Sequence, residues 1–125
     1  MCHQTGCLIA RDLEAHGIAT VTVGSALDIM RAGRPPRGVF VDYPLGHSVG
    51  RPFDAANQRA IIRDALAAFE SITTPGEIKH LDYRWSKSDS WKTEATDASS
   101  GDTRAARDLS PQYQSPADRV AAEMR

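Results

Sequence analysis

Two cysteines in 125 residues are too few for a disulfide-stapled scaffold, which excludes the small secreted folds that depend on one. Charge of either sign is equally scarce in excess: 15 basic residues face 16 acidic ones, for a net charge of −1. No electrostatic footprint for nucleic acid or an anionic membrane surface follows from such a balance, so neither is expected as a partner. No apolar run reaches the length of a membrane span, and no charged-then-apolar leader precedes a cleavage site, so a cytoplasmic location is the expectation. Neither G-x-G-x-x-G after a strand nor G-x-x-x-x-G-K-[ST] occurs, which removes the common nucleotide cradles. Ser48 stands beside His47 without the surroundings of a nucleophile elbow. Cys2, His3, Cys7 and His16 match no C-x₂-C or H-x₃-H pair, so zinc is not expected and no cofactor is implied.

What is present is unevenly distributed. Hydrophobic residues make up 41% of the chain, enough for one small domain, and residues 1–85 hold nearly all the Ile, Leu, Val and Phe. Residues 86–125 are Ser, Thr, Ala, Asp and Arg with few large apolar side chains, a composition that cannot offset the entropy of ordering. The expected organisation is therefore an α/β lobe over 1–85 and a polar, mostly irregular tail over 86–125. A short helix is expected at 116–124, with Trp85, Trp91 and Tyr113 as the residues able to pin the tail.

Within the lobe, helix and strand patterns alternate. Residues 8–16 read as a helix with Leu8, Ile9 and Leu13 on one side and Gly17 as its stop. The β-branched run 18–23 reads as a strand. Ser25 followed by Asp28 is a capping-box pattern for a second helix, ended by Gly33 and barred from continuing by Pro35 and Pro36. Residues 38–42 are apolar on successive positions, as in a strand covered on both faces. Asp54 caps a third helix to about Glu70, with Ile62, Leu66 and Phe69 as its apolar face and Asn57, Arg59, Arg63 and Asp64 on the wetter side. The class is α/β, a partial three-layer, Rossmann-like unit with a short parallel sheet and flanking helices. Two strands make a poor parallel sheet, and a strand belongs immediately before Cys2. The chain is thus expected to be the carboxyl-terminal piece of a larger unit, or to complete its sheet as a homo-oligomer or with a partner chain.

Both cysteines lie in Cys2-His3-Gln4-Thr5-Gly6-Cys7, at the entrance to the first helix. Unpaired N–H groups and the positive end of the helix dipole favour the thiolate there, the reactive form of cysteine. Cys2 is the candidate redox or resolving thiol and His3 its stabiliser or proton shuttle; the alternatives are an unreactive surface cysteine and a solvated histidine. Cys7 points into the helix and is expected to pack. The loop 43–52 follows the carboxyl end of a strand, where open α/β sheets place their ligands. There Gly46 and Gly50 permit close backbone approach, His47 can donate or accept, Arg51 can clamp a carboxylate, and Asp42 can orient a cationic amine or cap the loop. The alternative is a turn shaped by proline and glycine that only reverses the chain.

Taken together, Cys2-His3-Gln4-Thr5-Gly6, the segment 14–18 (Glu-Ala-His-Gly-Ile) and the segment 40–52 (Phe-Val-Asp-Tyr-Pro-Leu-Gly-His-Ser-Val-Gly-Arg-Pro) resemble one family. It is the C-terminal lobe of the glycine/sarcosine/betaine/D-proline reductase selenoprotein B family and its selenium-free relatives. The resemblance covers about residues 2–70, and its most specific part is Tyr-Pro-Leu-Gly-x-x-x-Gly-x-Pro before the helix start at Gln58-Arg59. It implies a selenocysteine or cysteine in a Sec/Cys-x-x-Cys loop that attacks a carbon–nitrogen bond, with a neighbouring thiol resolving the product. Cys2 matches the second member of that pair, and the first would lie upstream of Met1. A small amino-acid-type substrate and a thiol electron donor are the partners so implied, and every substrate in the family's name carries a carboxylate. A non-catalytic α/β module that binds a small acid or a partner chain, and a remnant with no activity, are the other readings.

Overall fold

The computed structural model describes residues 2–96, Tyr113 and residues 115–124. The first helix, α1 (Cys2–Ala15), starts at Cys2 itself, so the polar stretch before Leu8 forms helical turns and not an entrance loop. Nothing in it breaks a helix, because a single interior glycine costs only about 1 kcal/mol. The buried positions of α1 are Cys7 and Ala10; Leu8 and Ile9, expected on the inner face, point outward and are about half exposed. Gly17 ends the helix as expected, with a left-handed φ of 81°.

Strand β1 is only Thr22–Gly24, shorter than the 18–23 run. The backbone N–H and hydroxyl of Thr20 donate to Glu14 Oε1 at 2.6 and 3.0 Å, which takes that part of the run out of the ladder. Helix α2 (Leu27–Gly33) has Ala26 at its N-cap and no side-chain cap. The expected capping box does not form, because Ser25 Oγ is engaged 3.0 Å from Ser48 Oγ. Gly33 remains helical, and Arg34 takes the left-handed turn at φ 47°. The reason is steric: a Cβ on Gly33 would lie 2.7 Å from Cys7 Cβ, so glycine here lets α1 and α2 approach. That contact also accounts for Cys7 as a packing residue.

Strand β2 (Arg37–Val41) pairs parallel with β1, Val23 opposite Val39, as the alternation of helix and strand predicts. A third strand that the sequence pattern did not reveal, β3 (Glu77–Leu81), pairs parallel with the other side of β2, giving the order β1-β2-β3. Glu77, Lys79 and His80 hide the apolar signature, and β3 is tolerated as an edge strand, with Glu77 and His80 exposed and Lys79 half-buried.

Between β2 and β3 runs α3 (Ala55–Ser71), capped by Asp54, whose side chain accepts the Asn57 N–H at 3.0 Å. Its buried face is Asn57, Ile61, Ala65 and Ala68, whereas Ile62, Leu66 and Phe69 are 45%, 59% and 39% exposed. The expected apolar face is therefore turned by about one residue, because small Ala65 and Ala68 allow the close approach to the sheet. Val39, Val41, Leu81, Ile61, Ala65, Ala68, Ile72 and Tyr43 form the core on this side. Side chains alternate along a strand, and a Cβ at Gly24 would meet His3 and Met30, so α1 and α2 cover the opposite face. The three-layer α/β unit is thus present. In the tail, residues 86–89 are irregular as expected, α4 (Ser90–Thr96) is an unexpected helix and α5 (Pro116–Glu123) the expected one; the tail reading for 97–112 lies outside the described residues. Among the described residues no helix is long and apolar enough to cross a membrane.

Glu14 ties α1 to both neighbours, accepting from Thr20 and from Arg37 Nη1 at 2.6 Å. Its carboxyl is held below the usual range, first by the Thr20 backbone N–H, then by the Thr20 hydroxyl and the Arg37 charge, which outweigh the opposing effect of burial. A carboxyl lowered in the folded state contributes stability above its unfolded value, about 4.3, and loses it as pH falls through the folded value. Glu14→Gln should therefore melt below the parent at pH 7, and the gap should narrow progressively as pH falls below about 4. A constant gap across that range in thermal melts would refute the assignment.

Candidate functional site

The helix α1 runs back along the sheet, so its first turn meets the carboxyl ends of the strands, where β1 gives way to Ser25 and β2 to the loop 42–52. Cys2 is exposed on that turn, and its Sγ lies 3.7 Å from Nδ1 of His3. The half-buried His3 ring turns inward, and its Nε2 accepts the Ser25 N–H at 3.0 Å. Ser25 Oγ in turn meets Ser48 Oγ in the loop. A continuous chain of contacts therefore links the thiol to the loop that follows β2. Cys7 is fully buried, and burial pushes its thiol up, away from the reactive thiolate.

The loop is held by polar contacts to the start of α3. Asn57 Oδ1 accepts the Arg51 N–H at 2.9 Å, Asn57 Nδ2 donates to the buried Tyr43 hydroxyl at 2.9 Å, and Gln58 Nε2 donates to the Arg51 carbonyl at 2.7 Å. Gly50, at φ 127°, presses against that helix start: a Cβ there would fall 2.7 Å from Gln58 Cγ. Gly46 sits at an open turn, φ 90°, with no neighbour near the Cβ position. Arg51 forms an ion pair with Asp54 at 3.0 Å while its Nε is buried without an acceptor. The loop's shape is thus set by α3, and its one guanidinium already faces a carboxylate.

Asp42, at the end of β2, is paired with Lys92 Nζ of α4 at 2.6 Å. That carboxylate holds the lysine's charge on and pushes its pKa up. His47 lies against Trp85, ring centroids 5.0 Å apart, and Trp85 meets Tyr43 edge-on at 5.3 Å. Of the residues proposed from sequence, Cys2 and His3 are brought together, and His3 reaches the loop through Ser25 and Ser48. Asp42 and Arg51 each carry an internal counter-ion. Sequence reasoning missed Ser25, Ser48, Asn57, Trp85 and Lys92 as parts of this edge. Asn57 had a usable signal, its place three residues after the Asp54 cap, whereas nothing local distinguishes Lys92 in a polar tail.

Fold and site define an α/β unit that presents an exposed thiol, backed by a histidine, at the carboxyl edge of a parallel sheet. Over 84 residues, 67% of its length, the chain is 30% identical to D-proline reductase subunit gamma of Acetoanaerobium sticklandii. It spans 35% of that relative's length. The similarity supports a relation to that reductase family. No protein-family model matches the chain. No solved structure matches it either.

Proposed function

We propose that this chain is a subunit, or part of one, of a thiol-dependent reductase that cleaves a carbon–nitrogen bond in a small amino-acid-type substrate, as in the selenoprotein B family. The observation that carries the reading is the exposed Cys2 beside His3 at the carboxyl edge of the sheet, in a chain similar to D-proline reductase subunit gamma. In such a cleavage the C–N bond breaks, carbon and nitrogen each gain one hydrogen, and two thiols, or a thiol and a selenol, lose two hydrogens to form an S–S or S–Se bond. Cys2 supplies one sulfur. The second comes from a residue outside this sequence or from a partner chain, because Cys7, the other cysteine here, is sealed beneath Gly33 and about 7.5 Å further along the helix axis. An external thiol donor then reduces the new bond. The substrate carboxylate is matched in charge by Arg51 and its amine by Asp42, with His47 and the backbone at Gly46 and Gly50 shaping the loop between them. Because Asp54 and Lys92 already satisfy those charges, binding exchanges ion pairs and does not create them.

The experiment uses the protein with the subunits that co-purify from its native host, supplied with D-proline and dithiothreitol. Opening the ring converts a secondary amine into a primary one, which an amine-reactive fluorophore reports. Cys2→Ser should lower the rate by about a thousandfold or more, the scale seen when one member of a catalytic group that acts as a unit is removed. Cys7→Ser should retain turnover if the fold survives. Absence of turnover with D-proline by this readout, and with glycine, sarcosine and betaine by release of ammonia, methylamine and trimethylamine, would refute the reductase reading, and full activity in Cys2→Ser would remove Cys2 from it.

One observation favours a second reading, a non-catalytic module that docks a partner chain. Ile62, Leu66 and Phe69 of α3 line, with Val21, Val23 and Val49, an apolar groove of about 190 Å³ beside the edge strand β1.

A further inference from the structure

We infer that His3 is held as a single tautomer, with its proton on Nδ1 directed at the sulfur of Cys2, and that Gly24 and Ser25 are the positioning residues that hold it there. The inference deepens the reading of Cys2 as the functional thiol, while the tautomer itself rests on geometry alone.

A backbone amide can only donate. The Ser25 N–H lies 3.0 Å from His3 Nε2, so that nitrogen must present its lone pair. A neutral imidazole carries one ring proton, which is then on Nδ1, the nitrogen 3.7 Å from Cys2 Sγ. The ring is seated by an absence: a Cβ on Gly24 would come 2.6 Å from His3 Cδ2 and 3.1 Å from Nε2, as well as 2.6 Å from Met30 Sδ. Only glycine at the end of β1 leaves room for the imidazole over the sheet. Ser25, the next residue, offers its N–H to the ring while its hydroxyl is tied to Ser48 in the loop after β2.

This arrangement decides between the two roles open to His3. With the Nε2 lone pair occupied and Nδ1 carrying the proton, the ring has no free lone pair facing the thiol. His3 therefore acts on Cys2 as a hydrogen-bond donor to the thiolate and not as the base that takes its proton.

Long-range ¹H–¹⁵N correlation spectra of the uniformly labelled chain at pH 8, with His3 assigned by its loss in His3→Gln, read the tautomer directly. The expected pattern is a protonated-type Nδ1 and an unprotonated-type Nε2; the reverse pattern overturns the inference. The second readout is the iodoacetamide labelling rate of Cys2. His3→Gln keeps an oxygen able to accept the Ser25 N–H but loses the Nδ1–H, and should label roughly threefold slower, the thiolate gain being partly offset by nucleophilicity. Gly24→Ala, with its fold checked by thermal melt, should slow labelling similarly by displacing the ring. If His3→Gln labels as fast as the parent, His3 is only an anchor and the inference fails. Neither readout needs substrate, so failure here is distinct from failure of the reductase assay.

Discussion

Brief iodoacetamide treatment at neutral pH should label Cys2 at least about a hundredfold faster than Cys7. Both are free thiols on one helix, so the contrast isolates their surroundings. Cys2 is exposed on the first turn, next to the His3 ring. Cys7 has no accessible surface and packs where Gly33 lets α2 approach, so a reagent reaches it only when the two helices part. A local opening that costs about 2.8 kcal/mol already suppresses reaction by about a hundredfold. Burial adds to this by disfavouring the Cys7 thiolate, so less of the reactive form exists even when the site opens. Peptide mapping over a time course reports both sites in one sample. Equal labelling, or faster labelling of Cys7, would contradict the α1–α2 packing and the case for Cys2 together.

The second large effect separates the two stripes of α3. Ile61→Ala should cost about 2–5 kcal/mol, because a fully buried side chain between the helix and β2 leaves a cavity that the neighbours fill only in part. For a lobe of this size, in which 1 kcal/mol moves the midpoint by about 4–8 °C, the melt should fall by on the order of 10–30 °C. Ile62→Ala, one residue on and 45% exposed, should stay within about 0.5 kcal/mol. Urea or thermal unfolding of the two variants, measured side by side, checks the contrast. If Ile62→Ala is as damaging as Ile61→Ala, the outward stripe of Ile62, Leu66 and Phe69 is covered in solution, and the partner-docking reading gains at the expense of a free-standing lobe.

The features legible in the sequence were those written in local chemistry. Asp54 accepts the Asn57 N–H three residues on, as an N-cap should, and Gly17 takes the left-handed turn that stops α1. The alternation of helical and β-branched runs was enough to require β1 and β2 to lie parallel, because a helix between two strands returns the chain to the same end of the sheet. Other assignments depended on neighbours distant in sequence. Ser25 and Asp28 form a correct capping pattern, yet Ser25 is drawn to Ser48, 23 residues away, and the box is not made. Glu77, Lys79 and His80 mask β3, whose order comes from pairing with β2. Asn57 reads as a solvent residue and is buried, because Tyr43 and the Arg51 backbone satisfy its amide. The site divides in the same way: a cysteine beside a histidine at the start of a helix was visible in the order of residues. That the imidazole would turn inward over Gly24, and that Asp42 would already hold Lys92, 50 residues on, could be decided only when the chain closed on itself. Hydrogen bonds and ion pairs form between whichever groups packing brings within about 3 Å, and packing is a property of the assembled layers and not of any one segment.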